Sequence, residues 1–220
     1  MPNLRRTVKI VAAGLMLGGI VFAQAPKSPA PKRSASAATA PKAAPKASSA
    51  AQWRTECSKA GGYCIEVPKA WKLLGEVFDG AGFVVAEPDA KKAQEDWNQI
   101  TAAATDMPEP PAGEQRPTTD ELIDIILGSP SSGIQSQTLQ RSTLVVAGMP
   151  AQLLKVRLRS KSEADAADAI EFIALLDDDE TIYSVALGCA PEDAARLEPI
   201  FEHVLHSWKA TPPAPAPPER

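Results

Sequence analysis

The chain has 220 residues, which is enough for one domain of ordinary size with tails. Hydrophobic residues make up 44% of it, so a packed core is expected and disorder along the whole chain is excluded. Residues 26–50 carry five basic side chains and no acid, whereas residues 51–220 carry 15 Lys and Arg against 27 Asp and Glu. Because an acidic domain repels phosphate backbones, we do not expect it to bind nucleic acid.

The first 25 residues have the pattern of a secretory signal peptide. A short basic segment ending at Lys9 precedes an apolar run from Ile10 to Ala23. This run is shorter than the roughly 20 residues that a membrane-spanning helix needs. Cleavage after Ala23 is favoured over cleavage after Ala25, which would leave Pro26 first in the mature chain. The pattern predicts a periplasmic or secreted protein, with an uncleaved anchor as the alternative.

Two segments of biased composition flank the remaining sequence. Residues 26–50 are almost entirely Ala, Pro, Lys and Ser, and residues 210–220 are rich in Pro. Neither can bury enough apolar surface to offset its ordering entropy, so both are predicted to be disordered. The first is interpreted as a spacer, with contact to anionic cell-wall polymer or a membrane surface as the alternative. The globular domain is therefore predicted over residues 51–209.

The first part of the domain predicts strands. Tyr63–Val67 is a strand candidate that stops at Pro68. Leu73–Phe78 and Phe83–Ala86 predict a hairpin, and Trp97–Thr105 is interpreted as a further strand. The polar residues 90–96 between them predict a helical or irregular insert.

A helix is predicted to begin at Thr118, where Thr118 and Glu121 have the spacing of a capping box. An apolar stripe follows at Leu122, Ile125 and Ile126, and Gly128 ends the helix.

Two long hairpins are predicted after this helix. The first joins Ile134–Val146 to Ala151–Arg159, and the second joins Ile170–Leu176 to Ile182–Leu187. In Ala151–Arg159 apolar residues alternate with basic ones, which predicts a strand with one buried face and one solvent face. The apolar positions are Leu154, Val156 and Leu158, and the basic ones are Lys155, Arg157 and Arg159.

The C-terminal part predicts a short helix over Pro191–Leu197 and a last helix that begins at Pro199. In this last helix the apolar residues at helical spacing are Ile200, Phe201, Val204, Leu205 and Trp208. Hairpins interrupted by a few amphipathic helices predict an α+β domain with an antiparallel sheet.

No residue stands out as catalytic, cofactor-binding or metal-binding. At 100° per residue, His203 and His206 lie away from the apolar stripe of the last helix, so both are predicted to face solvent. The acidic run Asp177–Glu180 is interpreted as a tight polar hairpin, with Ca²⁺ binding as the alternative. Each glutamate in or beside a predicted strand is first interpreted as a solvent-face residue: Glu66, Glu76, Glu87 and Glu171.

Three cysteines fall in a domain that is predicted to be exported. If residues 58–63 form a tight hairpin, Cys57 and Cys64 lie opposite each other within bridging range. We therefore favour a Cys57–Cys64 disulfide with Cys189 as a small buried residue, and a Cys64–Cys189 bridge is the alternative.

Several short motifs resemble the PsbP-like fold group. Val67-Pro68-Lys69-Ala70-Trp71 is similar to its VPxxW motif, and Gly148-Met149-Pro150-Ala151 is similar to its G-x-P-A turn. The run from Ile182 to Asp193 and the final Ser207-Trp208 resemble its last strand and closing helix, so the resemblance covers most of residues 63–209. The group includes the extrinsic P subunit of photosystem II, a nuclear-import factor that binds a small GTPase, and bacterial periplasmic proteins of unclear role.

The resemblance implies a non-catalytic adaptor or assembly factor, and it carries over no functional residue because the group shares no common site. We therefore expect an exported binding or assembly module of the cell envelope, without a cofactor, whose partner is another envelope protein. The alternative is a hydrolase of envelope polymer that uses a carboxylate pair.

Overall fold

The computed structural model describes residues 52–89, 92, 94, 98–107, 110, 113, 115–128, 134–160 and 168–211. The predicted signal peptide and tether lie outside these residues, as do residues 212–220 and most of the predicted insert over residues 90–96. Within the described ranges, no helix combines the length and the apolar character needed to cross a bilayer.

Two antiparallel sheets, two α-helices and a 3₁₀ helix at Phe78–Gly80 make up the regular structure of the described part of the chain. The elements in chain order are β1 (Trp53–Ser58), β2 (Tyr63–Pro68), β3 (Lys72–Val77), β4 (Gly82–Ala86), β5 (Gln99–Asp106), α1 (Thr119–Gly128), β6 (Ile134–Val146), β7 (Met149–Ser160), β8 (Asp168–Asp178), β9 (Thr181–Cys189), α2 (Ala194–His206) and β10 (Lys209–Ala210). The large sheet has the order β3-β4-β5-β9-β8-β7-β6, and the small sheet has the order β1-β2-β10. The predicted α+β class is confirmed.

The predicted hairpins β3–β4, β6–β7 and β8–β9 all form as antiparallel pairs. The turn between β6 and β7 is tighter than the sequence suggested, because the two strands pair as far as Val146 and Met149. Ala147 and Gly148 have φ values of 50° and 89°, which is the left-handed geometry of a two-residue hairpin turn.

Both faces of the large sheet are covered, and each has its own apolar core. On one face α2 and the small sheet contribute Phe201, Val204 and Ile65 to the larger core. On the other face Leu122 and Ile123 of α1 pack in a second core with Leu154, Ile173 and their neighbours. The domain is thus a sheet between two layers, and α1 is the only described helix on its side.

Covering both faces changes the environment of the basic residues of β7. Lys155 and Arg157 were predicted to face solvent, but both are half-buried. Lys155 lies on the α2 side, where its Nζ is 4.9 Å from the centroid of the Phe172 ring and 2.8 Å from Oε2 of Glu198. The prediction was wrong because the alternation of β7 could not reveal that a helix also covers its polar face.

Helix α1 begins as the capping box predicts. The amide of Thr118 donates to Oε2 of Glu121 at 2.8 Å, and the amide of Glu121 donates to Oγ1 of Thr118 at 3.3 Å. Leu122 is buried as predicted, and Ile123 is buried beside it. The side chains of the other two predicted stripe residues lie outside the part that the structure describes.

The two predicted C-terminal helices form one helix. Pro191–Asp193 is a turn, and α2 then runs without a break through Pro199. Proline in a helix normally removes one hydrogen bond and clashes with the preceding turn. Here Leu197 and Phe201 on either side of Pro199 are both buried in the same core, and this shared burial holds the helix continuous. The prediction of a break at Pro199 was wrong because it used the local propensity of proline without the tertiary packing.

The small sheet carries the disulfide. Cys57 and Cys64 are directly paired across β1 and β2 and are joined by a disulfide bond, as expected. Cys189 is buried and free, so the Cys64–Cys189 alternative is wrong. The turn between β1 and β2 requires glycine at Gly61, because a Cβ there would lie 2.5 Å from the carbonyl oxygen of Ala81. The chain returns to this sheet through β10, where the amide of Thr211 donates to the carbonyl of Gly62.

Candidate functional site

A polar cavity of about 230 Å³ lies where β4 ends, β5 begins and α2 begins. Its walls are Glu87, Pro88, Asp89, Lys92, Asn98, Asp193 and Arg196. Glu87 follows the last residue of β4 and Asn98 precedes the first residue of β5, so the pairing of these strands brings the two side chains together. Asp193 and Arg196 come from the N-terminal end of α2. Residues distant in sequence therefore converge at one end of the sheet.

Hydrogen bonds connect four of these side chains in one network. The two terminal nitrogens of Arg196 donate to the two oxygens of Glu87, each at 2.8 Å, which is the planar geometry that Arg and carboxylate groups share. Arg196 also donates to Oδ1 of Asp193 at 3.0 Å. The buried Asn98 side-chain amide donates to both carboxylates, at 2.8 Å to Glu87 and 3.1 Å to Asp193. Two carboxylates thus share one guanidinium and one amide.

This network holds both carboxylates in the ionised form. Partial burial acts to raise the pKa of Glu87, but the hydrogen bonds from Arg196 and Asn98 outweigh it and the pKa lies below its usual value. The pKa of Asp193 is lowered in the same way, against the opposing effect of its own burial. The hydrogen bond to Glu87 is the main cause of the raised pKa of Arg196. A general acid for glycoside hydrolysis needs a carboxyl group with a raised pKa, and neither carboxylate of this pair provides one.

Glu87 is the one cavity residue for whose side chain the sequence makes a prediction, and that prediction is a solvent-face position. That interpretation was wrong because the residue lies beyond the end of β4, where strand alternation no longer decides which way a side chain points. Asn98, Asp193 and Arg196 were missed entirely. The signal that could have found Asn98 is an amide at the start of a predicted apolar strand, which must find partners if it is buried.

The two histidines have different environments. His206 is exposed as predicted. His203 is half-buried instead, because its ring stacks on Trp53 of β1 with the ring centroids 3.7 Å apart. Its Nε2 lies 2.8 Å from Oε2 of Glu66 on β2. The helical spacing correctly placed His203 away from the apolar stripe of α2. The side chain is nevertheless half-buried, because β1 and β2 cover that side of the helix.

The hydroxyl group of Ser207, at the C-terminal end of α2, takes part in the same contact between α2 and β2. Ser207 is the nearest hydroxyl in the sequence, and its Oγ donates to the carbonyl of Val204 and accepts from the amide of Glu66. The hydroxyl group of Ser207 thus donates one hydrogen bond and accepts another within the contact between α2 and β2. The group formed by Trp53, His203 and Glu66 joins α2 to the small sheet.

The remaining predicted glutamates behave differently from each other. Glu76 is exposed on β3, as predicted. Glu171 of β8 is only partly exposed, and desolvation raises its pKa to about 7. The prediction of a solvent face was wrong for Glu171, because β8 is flanked by strands on both sides and carries buried apolar residues on both faces.

The acidic run at the β8–β9 turn forms the expected hairpin. Asp177 accepts from Oγ1 of Thr119 at 3.0 Å and from the amide of Asp179 at 3.1 Å. Among the described residues, no group of three or more His, Cys, Asp or Glu side chains is arranged to hold a metal ion.

The two edge strands of the large sheet differ in how well they are protected against pairing with a further strand. Edge strand β3 has six residues, two of them charged, and its register shifts between Leu73 and Gly75. Edge strand β6 has thirteen residues with Arg141 as the single charge. Natural edge strands are commonly protected by charge, shortness or bulges, so β3 is protected and most of β6 is not.

Comparison with known proteins identifies the fold. Neither a protein-family model nor a curated protein matches the chain. The structure is similar to the solution structure of cyanobacterial PsbP from Synechocystis sp. PCC 6803, with a TM-score of 0.52 and 12% identity over 77% of this chain and 98% of that one. It is also similar to the crystal structure of the Ran-binding protein Mog1p from Saccharomyces cerevisiae, with a TM-score of 0.51 and 12% identity over 73% of this chain and 96% of that one. At such identity the likeness concerns the fold and not the function. The chain has the PsbP-like fold that its sequence motifs indicated.

Proposed function

We propose that the chain is an exported, non-catalytic binding module of the cell envelope that takes up an extended segment of a partner protein along β6. The observation that carries this proposal is the long and weakly protected edge that β6 presents. Its outer backbone groups have no partner strand among the described residues. An extended peptide satisfies such groups by adding a strand to the sheet.

Side chains along β6 suit this mode of binding. The only register shift in the β6–β7 pairing lies between Thr138 and Gln140, so residues 140–146 form a regular stretch. The one charge in the strand, Arg141, is already engaged by Asp120 at 2.6 Å and Asp124 at 3.0 Å. A charge engaged by α1 does not repel an incoming strand as a free Lys would.

Apolar side chains along the same strand define the chemistry of the partner. Val145 is 67% exposed and Leu139 is 42% exposed. An uncharged partner strand with β-branched or other apolar residues opposite these two positions would bury them. The partner segment is therefore expected to be extended, uncharged and partly apolar.

The absence of catalysis is supported by the chemistry of the polar cavity. Its two carboxylates are ionised and bonded to Arg196 and Asn98, which suits a structural network better than an acid–base pair. Export is supported by the predicted signal peptide together with the Cys57–Cys64 disulfide, since such bonds persist in oxidising compartments.

Site-specific photocrosslinking in the host envelope tests the proposal. A photoreactive residue is introduced at Thr143 or Val145 on β6, and at the exposed Glu76 on the opposite edge as a matched control. We expect one discrete adduct from the β6 positions and none from Glu76. Adding Thr143→Lys to the Val145 probe should remove the adduct, because a charge within the regular stretch of the edge blocks strand pairing. Equal adducts from both edges, or none from β6, would contradict the proposal.

A second assay distinguishes a hydrolase of envelope polymer from a non-catalytic binding module. The purified protein is incubated with cell-wall fragments, and the release of soluble products is measured for the wild type, Glu87→Gln and Glu171→Gln. We expect no release. Turnover by the wild type that either substitution abolishes would establish a hydrolase instead.

A further inference from the structure

A second feature, independent of the β6 edge, lies on the α1 side of the large sheet around Glu171. The register places Val156, Glu171, Gly188 and Gln99 side by side on β7, β8, β9 and β5. Residues directly opposite each other in antiparallel strands project from the same face. Val156 belongs to the α1-side core, so this row faces the α1 side of the sheet.

The row contains a gap at Gly188. A Cβ added at this glycine would have no heavy atom within 4 Å, so the space above it is open. Strands are about 4.8 Å apart, so the backbones of Glu171 and Gln99 are about 10 Å apart with this gap between them. The next position along β9 on the same face is the buried Ala186, which adds little bulk. We call the space bounded by Glu171, Gly188 and Gln99 the Gly188 slot.

The carboxyl group at the side of this slot lacks a partner. The side chain of Glu171 has no hydrogen bond or ion pair with any residue that the structure describes. Its neighbours on the adjacent strands are Val156, which is fully buried, and Gly188. A partly buried carboxyl group without a partner is costly, and natural proteins usually satisfy such groups. Glu171 nevertheless retains partial exposure, so the slot opens to solvent.

Among the residues that the structure describes, no opposite charge is paired with Glu171. The neighbouring face residues of β7, β9 and β5 are all uncharged: Val156, Leu158, Ala186, Gly188, Gln99 and Thr101. The described charged groups on the α1 side are already engaged: Arg116 with Asp177, Arg141 with Asp120 and Asp124, and Glu121 with Thr118. The basic residues of β7, Lys155, Arg157 and Arg159, alternate with Val156 and Leu158 and project from the opposite face of the sheet. Both histidines are on α2, on the opposite side of the sheet.

We propose that the Gly188 slot binds the ammonium group of a small alkylamine, with the Glu171 carboxylate as its counter-ion and the apolar side chains around it in contact with the alkyl chain. The ammonium group supplies the positive charge and the hydrogen-bond donors that this carboxylate lacks. The open space above Gly188 provides room for it, and the Gln99 side chain across the slot supplies a further acceptor. The acidic balance of residues 51–220 attracts a cation towards the domain.

Binding of this kind depends on pH, because only the carboxylate form attracts the cation. Desolvation raises the pKa of Glu171 to about 7 in the free protein, so the binding-competent fraction falls as the pH drops through that value. Between about pH 8 and about pH 6 that fraction falls about tenfold, and the apparent Kd for the ammonium ion rises by the same factor.

Isothermal titration calorimetry with n-hexylammonium tests the proposal, and 1-hexanol is the neutral control. The amine stays protonated over this pH range, so any pH dependence belongs to the protein. We expect saturable binding of hexylammonium with a Kd about tenfold weaker at about pH 6 than at about pH 8. Binding of 1-hexanol should be much weaker than binding of hexylammonium at both pH values.

Variants identify the site. Glu171→Gln should abolish the pH dependence and weaken binding, and Gly188→Val should weaken it by filling the slot while leaving the carboxyl group in place. The matched control Glu76→Gln changes an exposed glutamate on β3 and should bind like the wild type. The chemical shift of the Glu171 carboxyl carbon should move on addition of hexylammonium. Absence of saturable binding, equal binding of 1-hexanol, or wild-type behaviour of Glu171→Gln or Gly188→Val would overturn the proposal.

Discussion

At the scale of single residues, Arg196 is the shared cation of two carboxylates. It bonds Glu87 and Asp193 at once, and these carboxylates would otherwise repel each other beside the buried Asn98. Arg196 is itself about half exposed, so solvent screens part of each interaction. Arg196 stabilises the fold mainly because it compensates the negative charge of two half-buried carboxylates, and an isolated surface ion pair would contribute less.

Arg196→Met is therefore expected to destabilise the protein by about 1–2 kcal/mol, because it leaves both carboxylates without a cation. The matched control is Arg159→Met, which removes an exposed ion pair with Asp168 and should cost less than about 0.5 kcal/mol. Urea denaturation near neutral pH measures both. Equal losses for the two variants would show that the Arg196 network is no more than a surface ion pair.

Strands with a regular alternation of apolar and polar residues could be predicted from the sequence. The clustering of residues from separate elements into the polar cavity could not. The alternation at Leu154, Val156 and Leu158 predicted the core face of β7, and all three are buried. The cavity needs Glu87, Asn98 and Arg196, which come from three separate elements. A local sequence pattern cannot predict that these residues meet, because their proximity depends on the order of the strands in the sheet.

At the scale of elements, the β1–β2 hairpin depends on its disulfide. The hairpin is in a three-stranded sheet whose third strand, β10, has only two residues. Short sheets of this kind have little stability of their own. The bridge between Cys57 and Cys64 reduces the freedom of the unfolded chain over a short loop.

The double variant Cys57→Ser, Cys64→Ser is expected to lower the free energy of unfolding by about 2–3 kcal/mol, and reduction of the wild type should have a similar effect. Thermal or urea denaturation measures the loss. Cys189 provides an internal control, because desolvation raises the pKa of its thiol to about 12 and the residue is buried. In the folded protein, a thiol reagent should leave Cys189 unlabelled until the protein unfolds. Rapid labelling of Cys189 under native conditions would contradict its placement in the core.

At the scale of the whole molecule, the two faces of the sheet carry carboxyl groups with opposite pKa shifts. On the α2 side Glu87 and Asp193 have lowered pKa values, so the stability they contribute is present above about pH 4 and is lost as the pH falls through their folded pKa values. On the α1 side the pKa of Glu171 is raised to about 7. The folded protein holds a proton on Glu171 that the unfolded chain has already released, so the free energy of unfolding falls as the pH rises towards 7.

We therefore expect stability to peak at about pH 5–6, with an acidic limb set by the cavity network and an alkaline limb set by Glu171. Urea denaturation across about pH 3 to about pH 9 measures the profile. Glu171→Gln should flatten the alkaline limb and raise the free energy of unfolding at about pH 8 by about 2 kcal/mol, while leaving the acidic limb unchanged. Arg196→Met should lower stability above about pH 5 and reduce the slope of the acidic limb alone. If Glu171→Gln left the alkaline limb as steep as in the wild type, another group would control it and the unpartnered state of Glu171 would be contradicted.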